Sequence, residues 1–163
     1  MKKIDLIIQE IKNVQKKTLS LLDKVGLEQW KISPQVINSN INWQIGHLIL
    51  ANYLHGVASM IGASQEFREK VDIKTFVTLY GPNSNPLEES ESKPSAEELH
   101  NLFLFTQAFI LRNIQGMTDE QLSQKTAVIN PAVSTKDQAL MWMFEHQSWH
   151  NGQLAMLIRV LNK

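Results

Sequence analysis

From Thr135 to Leu161 the chain carries no proline and only one glycine, Gly152. Apolar residues return along it at helical spacing. Ala139, Met143, Leu154, Leu157 and Leu161 fall on one stripe, which they share with His146 and His150. A helix of this length buries such a stripe only against other helices, so the rest of the chain has to supply them. Thr135 and Gln138 have the spacing of an N-terminal capping box that would start it.

Three further segments have the same periodicity. The first, from about Ile4 to Val25, aligns Ile4, Ile7, Ile8, Ile11, Val14, Thr18, Leu21, Leu22 and Val25, with lysine and glutamine opposite and Gly26 as a stop. The second, from about Asn42 to Ile61, is capped by Asn40 or Asn42 and ends at Gly62. Its predicted inward stripe is Trp43, His47, Ala51, Leu54, Ala58 and Ile61. The third opens with Pro94-Ser95-Ala96-Glu97-Glu98, a serine–glutamate capping box, and continues through Leu99, Leu102, Phe103, Thr106, Phe109 and Ile110 to Gly116. A second box, Thr118 to Gln121, predicts one short turn. Val71 to Tyr80 contains β-branched residues but no strand-like alternation. The expectation is an all-α fold of four long helices, a bundle, with residues 1–163 as one domain. The join from Gly62 to Pro94 is long for a compact domain. It predicts a short helix near Lys74 to Leu79, a turn at GPNSNP and a solvated EESESK tether. Such a join is either a crossover connection or a substrate lid.

Composition removes several function classes. Lysine plus arginine equals aspartate plus glutamate, 16 each, so no basic field attracts nucleic acid. There is no cysteine, which excludes disulfides, thiolate metal sites and a cysteine nucleophile. Any thiol chemistry needs a thiol brought by a substrate. No apolar run is long enough to cross a bilayer, and charges interrupt the N-terminal MKKIDLIIQEIKNVQKK, which is followed by no cleavage site. These features predict a cytoplasmic protein with no membrane partner.

His146 and His150 are four residues apart, and such residues share a helix face with Cβ atoms roughly 5–6 Å apart. Two imidazoles so placed can converge on one ion. His47 lies on the predicted inward stripe of another helix, also between apolar turns, so three histidines can meet at similar depth. Three imidazoles with one open position describe a catalytic divalent-metal site. The spacing equally permits three core histidines hydrogen-bonded to carbonyls or to one another, and both readings stand. A zincin is disfavoured: Gln147 occupies the place of the glutamate base, and Glu145 lies off the ligand face. His55, eight residues after His47, is turned about 80° away and predicts a rim position. His100 and Arg159 read as exposed, Trp43 as a groove wall, and Tyr80 and Asn83 as turn residues.

Two stretches resemble a known family. NWQIGHLILANYLHG, Asn42 to Gly56, and EHQSWHNGQLAMLIRVL, Glu145 to Leu161, are similar to the two signature helices of the DinB/YfiT-like metalloproteins. Trp43, His47 and Leu48 match the first signature; His146, His150, Gly152, Gln153 and Leu154 match the second. PSAEEL and YGPNS also look like this family. The resemblance implies a four-helix bundle in up-down-down-up order, with the long connection between the second and third helices. It implies a divalent ion, usually nickel or zinc, held by His47, His146 and His150, and often a homodimer. Characterised relatives are low-molecular-weight thiol transferases and a thiol-dependent isomerase. It therefore implies a thiol S-transferase acting on a small molecule. A metal-dependent hydrolase and a non-catalytic, stress-related metal-binding bundle are the alternatives. No residue is assigned a catalytic role, and no organic cofactor is expected.

Overall fold

A computed structural model describes residues 2–163, and among them every regular element is helical. α1 (Lys3–Leu22) buries Ile4, Ile7, Ile11, Val14, Thr18 and Leu22. It stops at Asp23, earlier than the apolar pattern suggests. Gly26 (φ −69°) is not its stop but the cap of a 3-10 turn, Leu27–Gln29. α2 (Ile41–Asn52) is started by Asn40, whose side chain accepts from the Trp43 amide at 2.8 Å. It runs on through a π-helical turn, Tyr53–Ala58, into α3 (Ser59–Ile61). Gly62 (φ +80°) then ends the run in the left-handed region that favours glycine.

The long connection holds two short helices, α4 (Gln65–Arg68) and α5 (Ile73–Tyr80), the latter close to the helix expected there. α6 (Ala96–Ile114) begins at the predicted box. The Ser95 hydroxyl accepts from the Glu98 amide at 3.2 Å, and the Glu98 carboxylate accepts from the Ser95 amide at 2.7 Å. α7 (Asp119–Leu122) is the turn behind the Thr118–Gln121 box. α8 (Lys136–Leu161) starts with Gln138 reaching back to accept from the Thr135 amide.

α2 is the central element: it packs against α5, α6 and α8, while α1 lies along α8. That position corrects the stripe expected for it. The fully buried residues are Ile41, Ile45, Leu48 and Ile49, whereas Ile61 is largely exposed. A helix covered on several sides is apolar nearly all round, so periodicity does not mark its deepest face.

The interior contains a polar layer joining the four long helices. Gln147 of α8, 1% exposed, is at its centre. Its amide N–H donates to the Thr18 hydroxyl of α1 at 2.8 Å. Its carbonyl accepts from Asn52 of α2 and Gln107 of α6, each at 3.1 Å. Thr18 in turn faces the Asn151 carboxamide oxygen at 2.7 Å. In low dielectric such bonds are costly to break one at a time, because the remaining partners stay buried. Thr18→Val keeps the shape but removes the hydroxyl, so we expect it to cost about 1–3 kcal/mol. A urea titration reads this directly, and an unchanged midpoint would contradict it.

Candidate metal centre

His47 projects from α2, and His146 and His150 from α8. The three present one ring nitrogen each within 4.8 Å of one another. The Nε2 of His146 lies 3.4 Å from Nε2 of His47 and 3.2 Å from Nε2 of His150. Two nitrogens bound tetrahedrally to one ion at 2.0–2.1 Å stand about 3.3 Å apart.

The other ring atoms fix which nitrogens carry protons. His47 Nδ1 is 2.8 Å from the Tyr80 carbonyl, which only accepts, so Nδ1 carries the hydrogen. His150 Nδ1 faces Gln44 Oε1. The Gln44 amide is oriented by its own N–H groups, which donate at 2.9 Å to the Ser39 hydroxyl and at 2.9 Å to Gln153 Oε1. His150 Nδ1 is therefore also the donor. Burial lowers the pKa of all three rings: His150 to about 3, His146 to about 4, and His47 less far, opposed by its bond to Tyr80. Neighbouring imidazoles lower His146 and His150 further. With the rings neutral, Nε2 of His47 and of His150 are bare lone pairs, both aimed toward His146. A single His146 N–H cannot answer both at full strength, and His146 Nδ1 is itself buried without a hydrogen-bond partner. One cation among the three Nε2 atoms satisfies every lone pair at once, so the donor set fits a divalent metal ion.

Residues around the cluster hold it in place. Trp43 stacks on His47 with centroids 4.8 Å apart and planes at 11°. The Trp43 N–H donates to the Ser84 hydroxyl at 2.8 Å. Tyr80, fully buried, donates its hydroxyl to Asn42 Oδ1 at 3.1 Å while its carbonyl takes the His47 proton. Gly46 makes this possible: a Cβ there would stand 2.4 Å from the Tyr80 ring. The YGPNS segment is thus a brace on His47, a role that turn chemistry alone does not predict. Gln44 and the Tyr80 carbonyl are the site features that sequence reasoning missed. Gln153, the middle residue of the GQL in the second signature segment, was the visible half of the Gln44 contact.

His55 departs from expectation. It is 6% exposed, not on a rim, and burial lowers its pKa to about 4. It lies in the π-helical turn, whose wider spacing advances less per residue and so reduces the predicted 80° offset from His47. Asn130 holds it, with the carboxamide nitrogen 2.8 Å from His55 Nδ1 and 3.0 Å from the Ser59 hydroxyl. His100 is half-buried, edge-on to Trp30 at 6.4 Å. Glu145, Arg159 and Asn83 are exposed, the first away from the ligand face as expected.

With this geometry in view, a family model described as the DinB superfamily matches residues 10–154. No curated protein matches the chain. Among solved structures, a conserved protein from Enterococcus faecalis superposes with a TM-score of 0.67 at 17% identity, covering 100% of this chain and 99% of that one. At that identity the likeness concerns the fold alone.

The depressed histidines set a pH dependence for the metal-free protein. The unfolded chain takes up protons on these rings near pH 6.5, the folded chain only toward pH 4 or below. Between those limits the unfolded state binds more protons, so stability is full above pH 6.5 and is lost as pH falls. The urea midpoint of metal-free protein should therefore drop steadily from pH 7 to pH 4.5. A flat profile would contradict buried, neutral rings.

Proposed function

The chain belongs to the DinB superfamily, and from that premise we propose that His47, His146 and His150 hold one divalent metal ion open to a small-molecule substrate. The observation that carries this reading is the convergence of three Nε2 atoms, two of them bare. Nickel and zinc suit three neutral imidazoles and agree with the family likeness. When bound, such an ion lowers the pKa of a thiol or water at its free position and holds it beside an electrophile.

The chain's own residues supply orientation. Tyr80 and Gln44 fix the tautomers of His47 and His150, leaving Nε2 as the ligand atom in each. Trp43 covers one side of His47 and keeps water from it. Among the described residues none of the three rings is hydrogen-bonded to a carboxylate, and Glu145, next to His146 in sequence, is exposed. That favours a low-molecular-weight thiol S-transferase, which needs no general base on the protein, over a hydrolase, which does. A metal-binding bundle without turnover is the second reading. The up-down-down-up helix order, a homodimer and a cytoplasmic location belong to the same proposal and rest on the family likeness. No helix of the described residues is long and apolar enough to cross a membrane.

Elemental analysis of the purified protein should find about one divalent ion per chain, and His146→Ala nearly none. Equal metal in the two would remove His146 from the site. Gln44→Ala, which frees the His150 ring, should weaken metal affinity about 10- to 100-fold in a chelator competition. In the cobalt-substituted protein, a saturable spectral change on adding a thiol supports the transferase reading. An unaltered spectrum leaves the bundle without turnover.

A further inference from the structure

The His55 ring is held firmly at one nitrogen and left unanswered at the other. Asn130 is oriented by its own loop: its carboxamide oxygen accepts from the Ala132 amide at 2.9 Å, so its nitrogen is the group that faces Ser59 and His55. The Ser59 hydroxyl donates to the Leu54 carbonyl at 2.7 Å and therefore accepts from Asn130. His55 Nδ1, 2.8 Å from the same nitrogen, accepts as well. Burial lowers the pKa of this ring to about 4, so it is neutral at pH 7 and its single hydrogen is on Nε2. That N–H has no hydrogen-bond partner among the described residues. It is not sealed off either. The buried side-chain atoms left without a partner belong to Trp30, Asn52, Gln107 and His146, so His55 Nε2 keeps accessible surface although the residue is only 6% exposed.

The helix places this donor beside the cluster. Asn52 meets Gln147, and Gly56 closes on Met143, so α2 and its π-helical extension run antiparallel to α8. His55, between Asn52 and Gly56, stands level with residues 143–147, the stretch that contains His146. It is close enough to His146 to lower the pKa of that ring. Asn130 also holds Ser59, one turn further along, so Nδ1 faces away from His47. A helical side chain leans toward the start of its helix, and Nε2 is the distal nitrogen, so Nε2 is directed back toward His47 and His146. Buried histidines ordinarily have both nitrogens matched. Here an asparagine fixes one and leaves the other as an aimed donor, at a π-helical turn of the kind that often marks functional sites.

The geometry points to His55 Nε2–H as the group that orients the small molecule at the metal. The molecule's metal-binding atom takes the free position by His146, and an acceptor oxygen a few bonds away takes the His55 hydrogen. This rests on the metal reading above and adds a substrate class. A neutral donor inside the fold suits a carbonyl, since a carboxylate would be desolvated without a charge in return from this ring.

Metal-free protein tests the donor itself. A long-range ¹H–¹⁵N spectrum at pH 7 should show His55 as the Nε2–H tautomer, and an Nδ1–H tautomer would overturn the proposal. Cobalt-substituted protein tests its use. N-acetylcysteamine and pentanethiol carry one thiol on chains of equal length, the first with an amide carbonyl and the second with no acceptor. His55→Asn keeps an acceptor for Asn130 near the place of Nδ1 and removes the distal donor; His55→Gln returns an amide N–H near the place of Nε2. We expect His55→Asn to weaken N-acetylcysteamine about fivefold with pentanethiol unchanged, and His55→Gln to recover part of that loss. Both variants should hold as much metal as the parent. An equal loss for the two thiols would overturn the proposal. So would no loss for either, which would assign Nε2 to an ordered water alone. A parent spectrum unaltered by both thiols would remove the transferase reading and this inference with it, whereas missing discrimination between them removes only the inference.

Discussion

The polar layer centred on Gln147 decides how the long helices stand against one another. Apolar stripes tolerate sliding, since one leucine replaces another at modest cost. A buried carboxamide does not, because each of its partners has to be met. Gln147 ties α8 to Thr18, Asn52 and Gln107 on three different helices, so the axial position of α8 is fixed to within a hydrogen bond. His146 adjoins Gln147 in sequence, and His150 is one turn on. Fixing Gln147 fixes both rings relative to α2, and with them the distance to His47. The geometry of the cluster is thus set by the packed interior between the helices and not by the cluster itself.

A second set of contacts then trims the rings individually. Tyr80 acts on His47 through its backbone carbonyl, Gln44 on His150 through its side chain, and His146 has no comparable partner. The three candidate ligands are therefore unequal. Two are held at Nδ1 by a hydrogen-bond partner; the third is held by packing and lies beside the exposed indole of Trp149. The long connection between α3 and α6 belongs to this arrangement. Its YGPNS segment reaches back to α2 and supplies both the carbonyl for His47 and the hydroxyl for Trp43.

Much of this was legible in the sequence where the signal is local. The Ser95–Glu98 box places the start of α6, because capping depends on residues three apart. His146 and His150 are legible as a pair for the same reason. His47 could be joined to them only through its expected face and the family likeness, and the three rings do come together. What was not legible acts over long sequence separations or through the backbone. The Tyr80 carbonyl has no residue-type signature. Gln44, Gln147 and Gln107 carry no local signal of burial, since glutamine is mostly exposed, and only their partners on other helices account for it. The stripe assigned to α2 failed because the helix is covered on several sides. His55 was misplaced because ideal α-helical spacing was assumed across Tyr53–Ala58.

That π-helical turn separates two jobs along one continuous rod. Upstream, the rod presents His47 to α8; within the turn, where the lower half begins, Gly56 lies so close to Met143 and Ile110 that a Cβ would stand 2.6 and 2.7 Å from them. The wider winding shifts the phase between these halves, so each meets its neighbour without compromise by the other. A chain that lost one residue here would regain an ordinary α-helix with almost the same faces presented on either side, because six residues wound this widely turn through about as much as five in an α-helix. The same deletion anywhere else in the rod would turn one half against the other.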